Sequence, residues 1–274
     1  MVVVDDVQRT HVLAWQDPPG HEQSLARSCV EQVLGARDAS MIDELFDPQA
    51  IGHGTPLVTL LPLWLAFPDL RLDVEDVTSD GDLVVVDSLA TGTHVGSFLG
   101  IKSTGLRVEA RRTDRFRMAH GRIVECWLDA DLGALAAQLG TVATAAPRPA
   151  PSGPTCPGIA RRATVQRFVE RVLDGRRFVE GPGYVADRAC DHPSASLAGC
   201  TLLAATPDFR LSVQDVHEEA ATVTVVAEVS GTRRGRGGPW PVTGRFELRV
   251  RVARDGRFLE TWADVFDAPV QMSS

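Results

Sequence analysis

The alternation of apolar and polar positions divides the chain into helical and extended stretches that come round twice. From His21 onward, Leu25, Cys29, Val33 and Leu34 fall on one helical face, the spacing of an amphipathic helix. Ser40 is placed to cap a second short helix, with Asp43 and Glu44 in its first turn. A third apolar segment, 57–67, carries Pro62 and stops at Pro68, which predicts a short or broken helix. Strand signals follow. Residues 70–77 alternate, 83–89 form a buried run and 106–118 alternate clearly; 123–129 read as a last strand, reached through a turn at His120-Gly121. Residues 132–139 predict a short closing helix, and the Ala-, Pro- and Ser-rich stretch 141–158 reads as a linker.

Beyond the linker the pattern restarts. Glu31, Val33, Leu34 and His53 return as Glu170, Val172, Leu173 and His192, all at an offset of 139. At the same offset Phe67-Pro68-Asp69-Leu70-Arg71-Leu72 returns as Thr206-Pro207-Asp208-Phe209-Arg210-Leu211, and Thr91-Gly92-Thr93 as Ser230-Gly231-Thr232. Glu125-Cys126-Trp127-Leu128-Asp129 returns as Glu260-Thr261-Trp262-Ala263-Asp264 at an offset of 135, so a loop shortened by four residues separates the two registers. Solenoid units run about 20–50 residues, so this period predicts two whole domains of one fold. The expected organisation is an N-terminal arm (1–20), a first domain (21–140), a linker (141–160) and a divergent second domain (161–270). Helices followed by a curved antiparallel sheet make each an α+β cone-shaped barrel, a form that suits an apolar ligand. The two barrels are expected to dock sheet to sheet as an intramolecular pseudo-dimer, with a further homodimer open.

Composition narrows the chemistry. The 274 residues suffice for two cores, 44% are hydrophobic, and the net charge is −8 with scattered arginines. That balance gives no nucleic-acid footprint. Lys102 is the single lysine, which makes Schiff-base chemistry an unattractive reading. Five cysteines (29, 126, 156, 190 and 200) without CxxC spacing read as free thiols, with no zinc site. Val2-Val3-Val4 is too short for a signal core, and no apolar run reaches the roughly 18 residues of a membrane span, so a cytoplasmic location without membrane contact is expected.

Residues 67–139 carry a recognisable pattern. Phe67-Pro68-Asp69-Leu70-Arg71, Thr91-Gly92-Thr93-His94-Val95-Gly96, Gly121-Arg122-Ile123-Val124-Glu125-Cys126-Trp127 and Gln138-Leu139-Gly140 resemble the SnoaL-like polyketide cyclases of the nuclear-transport-factor-2-like and ketosteroid-isomerase superfamily. The resemblance implies a small hydrophobic, polycyclic substrate and an intramolecular aldol closure run by a cavity aspartate and histidine, with no metal or organic cofactor. Counted from the turn glycine, the aspartate position falls on Leu128 and the histidine position on Asp114; in the second copy the acid position falls on Ala263. Epoxide-hydrolase-like members instead place an aspartate two residues after a tryptophan. Trp262-Ala263-Asp264-Val265-Phe266-Asp267 and Trp127-Leu128-Asp129 follow that second pattern. One β-bulge decides between the counts, because an extra residue reverses the facing of everything after it.

The candidate residues follow. Arg112 and Asp114 interrupt the apolar parity of Val108, Ala110, Phe116 and Met118; they read as an oxygen-polarising and a proton-exchanging group, or as a structural ion pair at a sheet edge. Asp129 reads as a second proton carrier, or as part of an outward face with Glu125 and Trp127. His53 is expected at the cavity mouth, Asp87 as a second carboxylate, and Leu128, Phe116 and Trp64 as lining. In the second copy the candidates are Asp264, His192 and Asp191. The preferred expectation is a cofactor-independent cyclase; the alternatives are an epoxide-opening or ether-forming enzyme and a non-catalytic hydrophobic-ligand or interaction pseudo-dimer.

Overall fold

A computed structural model describes residues 20–53, 56–129, 131–140, 157–235 and 238–267. The expected arm, most of the linker and Cys156 lie outside these residues. The first unit runs α1 (His21–Ser28), continued by a π-helical turn (Cys29–Gly35), then α2 (Ile42–Leu45), β1 (Phe46–His53) and α3 (Pro56–Ala66). β2 (Arg71–Asp80), β3 (Leu83–Thr93), β4 (Arg107–Ala119), β5 (Arg122–Trp127) and α4 (Leu132–Gln138) complete it. The second runs α5 (Pro157–Arg167), a π-helical turn (Phe168–Asp174), β6 (Val185–Asp191), α6 (Pro193–Ala205), β7 (Arg210–Glu219), β8 (Thr222–Gly235), β9 (Gly238–Val252) and β10 (Phe258–Asp267). The layout is α+β. Among the described residues no helix is long and apolar enough to cross a membrane.

All ten strands form one sheet in the order β2-β3-β4-β5-β1-β6-β10-β9-β8-β7. The order is the same read from either end. Its centre is a short antiparallel bridge in which Gly52 pairs with Asp191 and His53 with Cys190. Since 191 − 52 is the repeat offset, Gly52 pairs with its own counterpart. The units therefore meet strand edge to strand edge, with α3 packed on α6, instead of sheet face to sheet face as expected. A strand edge presents unpaired N–H and C=O groups, and pairing β1 with β6 satisfies both edges at once.

The main strand expectations match the observed β2 to β5, and the His120-Gly121 turn takes positive φ at both residues (52° and 69°), as a tight hairpin turn requires. The helical details differ. Pro62 sits inside α3 without ending it. Asp38, and not Ser40, caps the second helical turn by accepting from the Ser40 N–H. β1 and β6, the two strands at the join, are hidden in the sequence by Asp47-Pro48 and by Asp187-Arg188, which break any alternation.

Repeated motifs turn out to be framework. Asp69 accepts from the Thr93 N–H at 2.7 Å and Asp208 from the Thr232 N–H at 2.8 Å, tying each helix–strand turn to the end of the following hairpin strand. Arg37 and Arg176, both at positive φ, reach the carbonyl oxygens of Pro68 and Pro207. Between β3 and β4 the first unit inserts residues 94–106, where the second has a plain hairpin. Val95 and Gly96 both donate N–H bonds to the Ala66 carbonyl at the end of α3. A Cβ on Gly96 would lie 2.5 Å from the Leu65 oxygen, so only glycine allows this approach.

Candidate functional site

The register of β4 against β5 decides the facing of every candidate acid. Arg115, Phe116 and Arg117 pair with Trp127, Cys126 and Glu125, and Met118 pairs with Ile123, which leaves Val124 as an extra residue. β10 carries the matching irregularity at Leu259. Each bulge thus lies upstream of its tryptophan. Downstream of it Cys126, Phe116 and Met118 share the buried interior face, while Glu125 and Trp127 take the outer one. Continuing that register puts Leu128 opposite Asp114, and in the second unit Ala263 pairs with Leu248.

On the interior face Arg112 and Asp114 are 5% and 0% exposed. The guanidinium holds the carboxylate with two contacts, Nε to Oδ2 at 2.8 Å and Nη2 to Oδ1 at 2.5 Å. The Asp129 backbone N–H adds a bond to Oδ1 at 3.2 Å. Burial pushes the Asp114 carboxyl above its usual range, opposed by the charge and hydrogen bonds of Arg112. This is an interior pair and not an ion pair at a sheet edge. Ser88, 1% exposed, stands opposite Arg112 in the β3–β4 ladder. Its hydroxyl has no hydrogen-bond partner. In the second unit the positions of Ser88, Arg112 and Asp114 are filled by Ala227, Phe246 and Leu248, all buried and in the same pairwise register.

Other candidates fall elsewhere. The Asp129 side chain is exposed at the β5–α4 junction, next to Asp114 through its backbone. Leu128 is partly buried and packs against the core. Phe116 is fully buried on the Asp114 face. Trp64 is buried, but its indole N–H is spent on the Leu34 carbonyl at 3.0 Å, so it fastens α3 to the π-helical turn. Asp87 does not contact Asp114: it accepts from the Thr113 hydroxyl and borders a recess of about 410 Å³ with Glu75, Asp76, Arg111, Ser88 and Arg112. A larger groove of about 760 Å³ runs outside the sheet past Glu31, Asp69, Arg71, Asp73 and Arg107. Leu70, Leu72 and Ala36 border it too, so its lining mixes charged and apolar groups.

His53, expected at a cavity mouth, borders none of the recesses described above. It lies on the outer face, stacked on Trp127 with ring centroids 4.5 Å apart, its Nε2 2.8 Å from Glu125. His192 repeats this on Trp262 at 4.6 Å, with Nε2 2.9 Å from Glu260. Burial draws the Glu125 carboxyl up, but its hydrogen bonds to Arg117 and His53 outweigh that and hold it below its usual value. Asp264 also faces outward, 3.3 Å from Arg249. The bulge position turns Asp264 outward, and the parallel β1–β5 register places His53 beside the outward Trp127.

Asp191 is the second unit's buried carboxylate. Oδ1 accepts from the Ser196 and Thr261 hydroxyls at 2.8 and 2.6 Å, while Oδ2 is buried without a partner. Burial pushes its carboxyl up to about 7 despite the hydrogen bonds from Thr261, Ser196 and the His192 backbone. Two buried groups escaped the sequence reading, Ser88 and His94. The only signal for Ser88 is parity with Val84 and Val86; His94 lies within Thr91-Gly92-Thr93-His94-Val95-Gly96 but carries no pattern of its own. His94 is fully buried, its Nδ1 near the Thr104 hydroxyl (3.0 Å) and N–H (3.3 Å) and its ring against Phe67 and Phe98. Among the described residues no three His, Cys, Asp or Glu side chains gather as metal ligands.

A sheet packed with helices, carrying a buried Arg112–Asp114 pair, makes the first half of the chain an α+β unit. Residues 25–139 match the family model of the SnoaL-like polyketide cyclases. No curated protein matches the chain. Among solved structures, AclR from Streptomyces galilaeus, a candidate hydroxylase, is 26% identical over 44% of this chain and 96% of its own, with a TM-score of 0.40. IdmH from Streptomyces antibioticus, a candidate polyketide cyclase, is 26% identical over 44% of this chain and 99% of its own, also at 0.40. TsrD from Streptomyces laurentii is 25% identical over 46% and 98%, at 0.39.

Proposed function

We propose that the chain is a cofactor-independent cyclase for a polyketide-like, hydrophobic intermediate, with the reaction confined to the first unit. The match of residues 25–139 to the SnoaL-like polyketide cyclase model supports a cyclase-type role. The observation that carries the rest is the buried Arg112–Asp114 pair, because the same wall in the second unit is built from Phe246 and Leu248. The fold does not need a charged pair there.

The reading is an intramolecular aldol closure. Asp129, exposed at the mouth, takes a proton from a carbon beside a substrate carbonyl. The resulting carbanion attacks a second carbonyl and forms the ring bond. Arg112 stabilises the oxygen that gains charge, and the proton held by Asp129 passes by way of Asp114 to that oxygen, making it a hydroxyl and returning both carboxylates to their starting state. We also propose that the two units are a tandem duplication forming a pseudo-dimer, supported by the palindromic strand order, the matched bulges and the self-paired Gly52 and Asp191.

Ring closure of polyketide intermediates bearing an enolisable carbonyl, followed by mass spectrometry, tests this reading. Asp114→Asn and Asp129→Asn should each lower turnover by roughly 10²-fold or more, with circular dichroism unchanged. Undiminished turnover in both would sink the cyclase mechanism. Asp264→Asn should turn over as the native chain does.

A further inference from the structure

Burying a hydroxyl without a partner disfavours the folded state, because its bonds to water are given up for nothing. Ser88 does this on the wall that carries Arg112 and Asp114. Its counterpart Ala227 sits 1% exposed opposite Phe246, so alanine meets every packing demand of that position. The three polar groups of the wall occur together in one unit and are lost together in the other. Nothing in the fold asks for the Ser88 hydroxyl.

We infer that Ser88 is a ligand-anchoring residue, whose hydroxyl bonds a neutral oxygen of the ligand, a carbonyl, enol or hydroxyl, held against the Arg112–Asp114 pair. This rests on the first unit being the site. The pair is internally neutralised by two close contacts, so a carboxylate or phosphate ligand would have to displace Asp114 from Arg112. A neutral oxygen needs no such exchange. Ser88 shares its inward-facing parity with Ala90, and Ala110 lies across the ladder from Ala90. Ser88 and Arg112 both border the recess of about 410 Å³ described above.

The test uses the full chain and 1,8-dihydroxyanthraquinone, a neutral polycyclic probe with carbonyl and phenolic oxygens, titrated by calorimetry and paired with urea denaturation in the absence of probe. Ser88→Ala should weaken binding about five- to tenfold, the worth of one hydrogen bond, while leaving the urea midpoint unchanged or higher because an unsatisfied hydroxyl is gone. Ala227→Ser, the reciprocal change, should lower the midpoint and leave binding unchanged. Equal affinity of native chain and Ser88→Ala, no binding of the probe to the native chain, or a lower midpoint for Ser88→Ala would each overturn the assignment. The outcome is separable from the cyclase reading: normal ring closure by Asp114→Asn together with weakened binding in Ser88→Ala would leave a binding site and remove the catalyst.

Discussion

The inner walls of the two units share Val84 and Val86 with Val223 and Val225 and part most sharply, charged against apolar, around three positions. Ser88, Arg112 and Asp114 line one; Ala227, Phe246 and Leu248 line the other, in identical register. The outer faces show the opposite behaviour, since the His–Trp stack and the His–Glu contact appear in both units with centroid distances within 0.1 Å. Repetition thus marks the framework here. Divergence marks the wall on which the proposed chemistry would sit.

The comparison breaks most visibly when one member of the buried pair is removed. Asp114→Ala leaves Arg112 charged and unpaired in the interior and should cost about 3–5 kcal/mol in urea denaturation. Importing the second unit's residues, Arg112→Phe with Asp114→Leu, should recover most of that loss while abolishing turnover, because the apolar wall is already compatible with this backbone. A double variant no more stable than Asp114→Ala would show that the walls are not interchangeable.

A second asymmetry sits at the join, where Asp191 faces Gly52. The Asp191 carboxyl titrates near 7 in the folded chain against an ordinary value of 3.8. The folded state therefore holds this proton more tightly than the unfolded one. Its contribution is full below about 4 and is lost as pH rises through about 7, amounting to as much as about 4 kcal/mol. Stability measured at pH 5 and pH 8 should fall with pH, and Asp191→Asn should flatten the slope. A native slope that persists in Asp191→Asn would place the titrating group elsewhere.

The 94–106 insertion belongs to the first unit alone. Burial lowers the His94 value below that of an ordinary imidazole, against a smaller contribution from the Gly96 backbone. Its Nδ1 lies 3.3 Å from the Thr104 N–H, so a proton on that nitrogen would set two donors face to face. Hydrogen exchange over 94–106, corrected for intrinsic rates, should accelerate as pH falls through the His94 titration, while the β8–β9 hairpin stays protected. The smallest effect is expected on the shared outer face. His53→Ala should cost about 1 kcal/mol or less, the value of an exposed stack and ion pair, and leave turnover intact.

The strand pattern from β2 to β5, the repeat and the likeness to SnoaL-like cyclases were legible in the sequence, because each rests on local periodicity or on motifs read in one stretch. The inward parity of Arg112 and Asp114 was legible too, since alternation along a strand needs no partner. The facing of Asp129 and Asp264 was not: two counts were self-consistent, and a single extra residue at Val124 and at Leu259 chose between them. Ser88 hid inside an apolar run, and its lack of a partner is a property of three dimensions.

By itself the sequence determined that there are two helix-then-strand units with one polar interruption on an otherwise apolar strand face. Hydrophobic period is a local quantity and survives in one dimension. Only the tertiary structure decided that the units join through β1 and β6 into one sheet, that the bulges lie upstream of the tryptophans, and that the paired histidines stack outside. Those outcomes depend on which backbone groups find partners across strands far apart in the chain.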